Sequence, residues 1–259
     1  MQLTADYHTH TVFSHGKGTI EDNVKAAHDL GLKEIGITDH GFSHPAFGLT
    51  KRKIPKMRVL CSDAENKFGV KTYLGIESNI IGTDGSTDLK ESLYDEFDLF
   101  LAGFHKFVLF HPAAFFKVFT PNMMTAYLKK DKPSATLIKN NTETFINVIK
   151  TRPVDMITHL NFFCFTDAKE VAKAAADYGT YIELNSKKVH LSDEELYAVA
   201  KTGVRFLISS DAHSQKRVGD ISLVEETLKR VNIDTSRIDN IDGRLPKFRF
   251  TAFKGAAGR

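Results

Sequence analysis

The sequence Asp6-Tyr7-His8-Thr9-His10, with His15 close behind it, is the feature around which the rest of this 259-residue chain is arranged. Residues 3–8 are typical of a short β-strand, and side chains two apart on a strand point to the same face. Asp6, His8 and His10 are therefore predicted to project together. Two imidazoles at the end of one strand are able to bind a metal ion, but ordinary surface or core histidines explain a lone His-x-His pair about as often.

Five further strand-like runs also end in side chains of the kinds that bind metals. Helical patterns alternate with these runs, over about residues 20–30, 55–68, 88–95, 134–150, 167–178, 192–203 and 221–231. A seventh run, at residues 180–184, carries no predicted ligand. The groups that close the five runs are Asp39-His40, Glu77, His105, His159 and Asp211 with His213.

Regular alternation of strands and helices predicts parallel strands joined by crossover helices. The ends of an open sheet fan out, so six of them would not converge on one point. In a closed β/α barrel the same ends surround one active-site face. We therefore predict an α/β protein whose residues 1–259 form a single barrel domain of seven β/α units, with a metal site at the C-terminal ends of the strands.

The composition fits a folded protein that acts on small molecules. Hydrophobic residues make up 42% of the chain, and the net charge of +3 is too small to require nucleic acid while suiting an anionic substrate. Cys61 and Cys164 lie outside any Cys-x-x-Cys pattern, which fits a reducing compartment. With neither a long apolar run nor a signal-peptide pattern, a cytoplasmic protein without membrane contacts is expected.

The candidate ligands are seven histidines and two carboxylates, more than one tetrahedral ion uses. Burying so many unpaired polar groups would be costly, which disfavours a purely structural role. Imidazole with carboxylate suits two or three divalent transition-metal ions, with zinc favoured and manganese or iron as alternatives. Ions about 3.5–4 Å apart bind a bridging hydroxide that attacks a phosphoryl group, so no serine or cysteine nucleophile is needed. The set is His8, His10, His15, His40, Glu77, His105, His159, Asp211 and His213.

In this order the nine residues resemble the ligand motifs of the PHP (polymerase and histidinol phosphatase) family, over residues 6–213. The resemblance implies a stand-alone phosphoesterase with a distorted seven-stranded (β/α)7 barrel and a trinuclear metal centre. His159 departs from the family pattern, because Leu160 follows it where the family often has proline.

The same resemblance implies which residues share each ion. The first ion and the attacking hydroxide would be held by His8, His10, Glu77 and Asp211. The second ion would be bound by Glu77, His105 and His159. The third would be bound by His15, His40 and His213.

Two further groups of residues are predicted to support this site. Asp6 and Asp39 are expected to orient histidine ligands through hydrogen bonds. Lys106, Lys187 and Arg217 together predict a weakly positive rim that binds the substrate phosphate. Each of these cations, taken alone, is more often an ordinary surface charge.

An irregular insertion at about 106–133 is rich in aromatic residues and broken by prolines. One interpretation is a lid at the cavity rim that favours small substrates over nucleic acid. The other is a helical excursion packed on the barrel wall. Near the C-terminus, Phe248, Phe250 and Phe253 lie among basic residues, and a terminal strand with a solvated tail is expected there rather than a nucleic-acid surface.

The function predicted from these features is metal-dependent hydrolysis of a small phosphomonoester. The alternative is a nuclease or phosphodiesterase that acts on oligonucleotides with the same metals. The lack of a second nucleic-acid-binding module weakens that alternative without excluding it. A non-catalytic metal-binding domain is disfavoured because all nine ligand positions are filled.

Overall fold

Seven parallel strands form the centre of the protein, in a computed structural model that describes residues 1–128 and 133–258. Each strand pairs with the next one along the chain, as expected when a crossover follows every strand. The strands are β1 (Ala5–Thr9), β2 (Glu34–Ile37), β3 (Lys71–Asn79), β4 (Leu99–Gly103), β5 (Met156–Ile157), β6 (Tyr181–Asn185) and β7 (Phe206–Ser209).

Helices flank the strands and begin where local sequence signals place them. Thr19 and Ser192 each form a capping box at the start of a helix, as their spacing from Asp22 and Glu195 predicts. The short helix predicted at 88–95 is a 3-10 helix, Glu91–Glu96. The α-helices are α1 (Ile20–Asp29), α2 (Ile54–Phe68), α3 (Pro112–Ala114), α4 (Thr120–Tyr127), α5 (Ala135–Thr151), α6 (Ala168–Tyr178), α7 (Asp193–Ala200), α8 (Ser222–Val231) and α9 (Arg249–Ala256).

The sheet is a nearly closed barrel because the end of β1 meets the chain that follows β7. Thr9 and Ala212 form a parallel bridge, and the backbone N–H of His10 donates to the Ala212 carbonyl over 2.8 Å. Farther down the seam, the Asn240 amide binds both the N–H and the carbonyl of Ile208. These contacts confirm the predicted distorted seven-stranded barrel.

Two cores explain why the site lies at one end of this barrel. A large core fills the space between strands and helices, and a small separate core fills the barrel interior near the N-terminal ends of the strands. On three strands, the interior residue two positions after this small core is polar. These residues are Thr158 just after β5, Glu183 on β6 and Ser209 on β7. The interior core consists of Ala5, Tyr7, Leu99, Leu101, Met156, Tyr181 and Leu207.

The first strand departs from simple alternation. Asp6 pairs with Ile35 and Thr9 with Ile37, so a three-residue advance on β1 matches two on β2. Such an extra residue lets Tyr7 pack inside the barrel while His8 turns toward the same interior. The prediction that Asp6 shares the face of His8 and His10 is wrong for this reason.

The insertion between β4 and α5 is largely helical. A π-helical segment, Phe115–Phe119, joins α3 to α4, so the described part is helical from Pro112 to Tyr127. The side-chain amides of Asn122 on α4 and Asn141 on α5 donate to each other over 2.9 and 3.0 Å. This packing fits the barrel-wall interpretation. Residues 129–132 of the predicted insertion lie outside the described residues.

The terminal strand predicted at the C-terminus is wrong, because this segment forms α9. Phe250 and Phe253 lie three residues apart on one helical face, and both rings pack against Tyr94. Just before the helix, the Phe248 ring meets Tyr7 edge-on at 4.9 Å beneath the barrel. A further strand has no edge to join, because β1 and β7 face each other across the seam. No helix in the described part of the chain is long and apolar enough to cross a bilayer.

Candidate metal centre

Glu77, fully buried at the end of β3, lies at the centre of the predicted ligands. Its Oε1 is 2.8 Å from Nε2 of His159, 3.2 Å from Nε2 of His105 and 3.3 Å from Nε2 of His8. Its Oε2 is 2.9 Å from Nδ1 of His40. A carboxylate with imidazoles on both oxygens has the placement that a ligand bridging two ions requires.

Asp211 gathers a second group of imidazoles just after β7. Its Oδ1 lies 3.3 Å from Nε2 of His10, 3.9 Å from Nε2 of His8 and 3.2 Å from Nδ1 of His213. The aspartate has a φ of 47°, a left-handed conformation uncommon for a non-glycine residue. The strained turn therefore directs Asp211 and His213 to the same point.

His15 lies farther out but belongs to the same cluster. Its ring centroid is 4.4 Å from that of His213 and 5.1 Å from that of His40. Phe47 packs at 4.9 Å from the same imidazole and limits its movement. All nine predicted ligands are thus brought together.

Three subsets of the cluster have donor atoms close enough to share one ion, all within 4.8 Å of one another. Imidazole and carboxylate donors of this kind hold divalent metal ions. His40 belongs to two of the subsets, once beside Glu77 and once beside His213. The subsets are His8 with His10 and Asp211, His10 with His40 and His213, and His40 with Glu77 and His105.

Unpaired polar atoms in the centre show that the donor set fits such ions. Oε2 of Glu77, Nδ1 of His10 and both ring nitrogens of His105 are buried and form no hydrogen bond with any described residue. Leaving these atoms without partners would be costly. Two of them have close neighbours, because Oε2 of Glu77 lies 2.9 Å from Nδ1 of His40 and Nε2 of His105 lies 3.2 Å from Oε1 of Glu77. Atoms that converge at such distances without hydrogen-bond geometry are arranged to bind a common cation.

Electrostatics favour a cation at the same place. Burial alone would lower the pKa of His8, but Glu77, Glu183 and Asp211 raise it well above its usual value. Burial would raise the pKa of Glu77, yet His105 and His8 hold it well below its usual range. The carboxylates thus create a negative potential that attracts positive charge.

Glu183 is a functional residue that the sequence reasoning missed. Its Oε1 lies 2.6 Å from Nδ1 of His8 and accepts a hydrogen bond from the Ser209 hydroxyl. Its Oε2 accepts the backbone N–H of His159 over 2.5 Å and the Asn185 amide over 3.0 Å. The available signal was an acidic residue within the apolar run at 180–184, the one predicted strand without a ligand.

Asp6 and Asp39 bind backbone N–H and hydroxyl groups near the candidate ligands rather than imidazole rings. Asp6 accepts hydrogen bonds from the backbone and hydroxyl of Ser210 and from the backbone N–H groups of Gly219 and His8. Asp39 accepts them from Thr11 and Ser14, in the loop between His10 and His15. Both carboxylates fasten loops that carry ligands, and neither forms a hydrogen bond with an imidazole within the described residues.

The predicted cations differ in their relation to the cavity beside the cluster, which measures about 430 Å³. Lys187 lines the cavity, with its Nζ 3.1 Å from Nδ1 of His213 and 3.3 Å from Asp211. Lys106 lies over the Phe163 ring at 3.7 Å, and Arg217 pairs with Asp220 at 2.8 Å. Neither of these two, nor any described residue of the insertion, is among the residues lining the cavity.

A parallel β/α barrel with a His, Asp and Glu cluster at the C-terminal strand ends defines a metal-binding barrel of the enzyme type. The PHP domain profile matches residues 6–187, and the chain belongs to this family. It is 31% identical over 265 residues to a probable phosphatase of Thermoanaerobacter sp. (strain X514), covering 96% of this chain and 95% of that one. A probable phosphatase of Vibrio campbellii is 32% identical over 254 residues, covering 92% and 88% of the two chains.

Among solved structures, the fold resembles the histidinol phosphate phosphatase of Lactococcus lactis subsp. lactis, determined with zinc, L-histidinol and phosphate. The TM-score is 0.60 at 16% identity, covering 90% of this chain and 95% of that one. A putative histidinol phosphatase of Listeria monocytogenes gives a TM-score of 0.55 at 12% identity, covering 83% and 97%. At these identities the likeness concerns the fold.

Proposed function

We propose that this protein is a metal-dependent phosphatase that hydrolyses a small phosphomonoester. The observation that carries the proposal is the nine-residue cluster around Glu77, which opens onto a cavity of about 430 Å³. A pocket of this size suits a small molecule rather than a nucleic-acid duplex. Curated relatives along nearly the whole chain are named probable phosphatases, and a structural neighbour was solved with zinc and phosphate.

Within this proposal the nine residues bind two to three divalent ions, with zinc the first choice and manganese or iron as alternatives. The ions would be shared as the family resemblance implies, with Glu77 between two of them. Bound ions would activate water for attack on the phosphorus and neutralise charge on the phosphate. The barrel's own residues orient the donors, because Glu183 holds His8 and strained turns present His159 and Asp211.

Lys187 is the residue of this chain best placed to bind a substrate phosphate oxygen. Its side chain is 48% exposed, and its ammonium already lies beside His213 and Asp211 at the cavity wall. A lysine ammonium in that position adds a charge-assisted hydrogen bond to the phosphate. The proposed role for Lys106 and Arg217 requires a change of rotamer, since Phe163 and Asp220 now hold them.

The reducing cytoplasm is the proposed location, and one domain the proposed organisation. Cys61 and Cys164 are buried and unpaired, which fits a compartment where disulfides are rare. The barrel seam joins the beginning of the chain to Asn240, so residues far apart in sequence form one structure.

The proposal is tested with one panel assay on protein whose metal content is measured in the same sample. The panel contains small phosphomonoesters, cyclic nucleotides and short single-stranded DNA. We expect kcat/KM to be highest for a phosphomonoester and turnover to stop after chelation. Faster cleavage of DNA or cyclic nucleotides would favour the nuclease or phosphodiesterase alternative. Equal turnover in metal-free protein would refute both.

A further inference from the structure

The cavity beside the metal centre has one wall that the proposed phosphate chemistry does not use. Imidazole, carboxylate, amide and ammonium groups line most of it, and Phe162 is the one hydrocarbon side chain among its described lining residues. Phe162 is half-buried, so part of its ring remains available to a bound molecule. Covering the exposed part of this ring with an apolar partner would be favourable, because it removes apolar surface from water.

Among the described residues, three rings lie beside Phe162, and the two nearest are imidazoles, while Phe163 is farther away at 6.5 Å. The centroid of Phe162 lies 5.1 Å from that of His159 and 5.0 Å from that of His190, with a 58° angle between the planes of Phe162 and His190. The contact with His159 places the phenyl ring next to the proposed metal-bound phosphate. The two tilted rings form an aromatic corner, in which a flat ring stacked on Phe162 presents its edge to His190. Stacked and edge-on contacts are the geometries that aromatic rings prefer.

The backbone holds this corner in place at a cost. His159, Asn161 and Phe163 have φ values of 29°, 69° and 59°, a left-handed region that few non-glycine residues adopt. Strain of this kind persists only where the surroundings enforce it, and it concentrates at functional sites. Here Glu183 binds the N–H of His159, and Asn161 binds Thr166 through its carbonyl oxygen and Glu195 through its amide. Hydrogen bonds therefore hold the chain that leads into Phe162 in one conformation.

We propose that Phe162 and His190 form a leaving-group subsite for an aromatic ring, so that the substrate is a phosphomonoester of an aryl, arylmethyl or heteroaryl alcohol. The inference rests on the proposed phosphatase function. With the phosphate at the metal cluster, the ester oxygen faces Phe162 and the ring of the leaving group stacks in the corner. Lys188, which lines the same cavity, lies where it attracts an anionic substituent on that ring.

The test compares substrates that differ only in the ring. Benzyl phosphate and cyclohexylmethyl phosphate both release a primary alcohol, so their intrinsic reactivity is closely matched. We expect metal-loaded wild-type protein to prefer benzyl phosphate by roughly three- to tenfold in kcat/KM, the size of one aromatic contact. Calorimetric titration with benzylphosphonate and cyclohexylmethylphosphonate should give the same order of affinity without any turnover.

The variants assign the preference to the corner. Phe162→Leu should reduce the benzyl to cyclohexylmethyl ratio to within about twofold of unity. Phe163→Leu is the matched control, because the Phe163 ring packs under Lys106 at 3.7 Å and is not among the residues lining the cavity, and it should keep the wild-type ratio. If Phe162→Leu does not fold, His190→Leu removes the other ring of the corner and must lower the ratio.

Equal rates for the two rings in the wild type, or a ratio unchanged in the folded Phe162→Leu variant, would overturn the subsite. Failure of the proposed phosphatase function would give a different result from failure of the aromatic subsite. A protein that hydrolyses no phosphomonoester of the panel is not a phosphomonoesterase, and the two phosphonate affinities then decide by themselves whether the corner selects aromatic rings.

Discussion

Oε1 of Glu183 lies 2.6 Å from Nδ1 of His8, and both side chains are completely buried inside the barrel. Because a carboxylate on Nδ1 fixes the ring, Nε2 of His8 faces Glu77 and Asp211. The other oxygen of Glu183 holds the backbone of His159. One carboxylate on β6, a strand without a predicted ligand, thus positions one candidate ligand on β1 and another after β5.

Replacing Glu183 with glutamine should weaken metal binding while the fold persists. Glutamine keeps the shape but removes the charge that makes His8 a more basic ligand, a change that typically costs about 10- to 100-fold in metal affinity. Competition with a chromogenic chelator measures the affinity. Glu34→Gln is the control, because Glu34 bonds the Tyr7 hydroxyl at the opposite end of the barrel. Equal metal affinity in wild type and Glu183→Gln would contradict the positioning role.

Purified protein should contain between two and three transition-metal ions per chain. The nine candidate ligands bring many imidazole and carboxylate donors close together, and a single tetrahedral ion would coordinate only four of them. Chelation should abolish phosphatase activity and lower Tm, since bound ions stabilise the folded state. Elemental analysis that finds one ion or none, in protein prepared without chelator, would count against this expectation.

The variant Glu77→Gln should lose metal as well as turnover. The carboxylate contacts five imidazoles, and glutamine supplies only one oxygen and no charge to the same place. We expect at least a 100-fold loss of kcat/KM, with metal content measured in parallel. His28→Asn, on the exposed side of α1, should stay near wild-type activity. Full metal occupancy with normal turnover in Glu77→Gln would exclude a bridging role.

Asp155 should make folding stability fall with pH. Burial raises the pKa of this carboxyl from 3.8 to about 7, although the N–H groups of Phe100 and Phe250 bind it. Between these values the folded state holds a proton that the unfolded state has lost, so stability present near pH 4 declines toward pH 7. Each pKa unit between the folded and the unfolded state corresponds to about 1.4 kcal/mol of folding free energy.

The variant Asp155→Asn isolates this effect, because asparagine stays neutral at every pH. It should be less stable than wild type near pH 4, having lost a hydrogen bond, and the gap should narrow or reverse by pH 7.5. Urea unfolding of both proteins at several pH values measures the difference. Parallel curves across that range would show that Asp155 does not titrate in it.

The C-terminal helix should contribute directly to barrel stability. Phe250 is fully buried against Tyr94 and Phe100, so Phe250→Ala should lower the free energy of unfolding by about 3–5 kcal/mol. Phe253, which is 42% exposed, is the matched control, and its alanine variant should lose much less. Similar urea midpoints for Phe250→Ala and wild type would mean that α9 only rests on the barrel.

Local signals were sufficient for the order of the seven strands and their crossover helices, and for the candidate ligand set. Capping boxes at Thr19 and Ser192 and the recurrence of histidine or acid after apolar runs depend on neighbouring residues, so they are readable without tertiary structure. The alternation of strands and helices predicts that the strands are parallel. In a closed barrel, parallel strands bring all their C-terminal ends to one face.

Other features depended on residues that meet only in the folded chain. The bulge that separates Asp6 from His8 arises from the register between β1 and β2. Helix α9 packs Phe250 against Tyr94 and Phe100, which are about 150 residues away along the chain.

Glu183 is 175 residues from His8 along the chain, yet its carboxylate touches that imidazole. By itself, therefore, the sequence identified the nine side chains that the fold gathers around Glu77 and Asp211. Only the tertiary structure decided which residues orient them, because hydrogen bonds between distant strands depend on register and packing that local patterns do not encode.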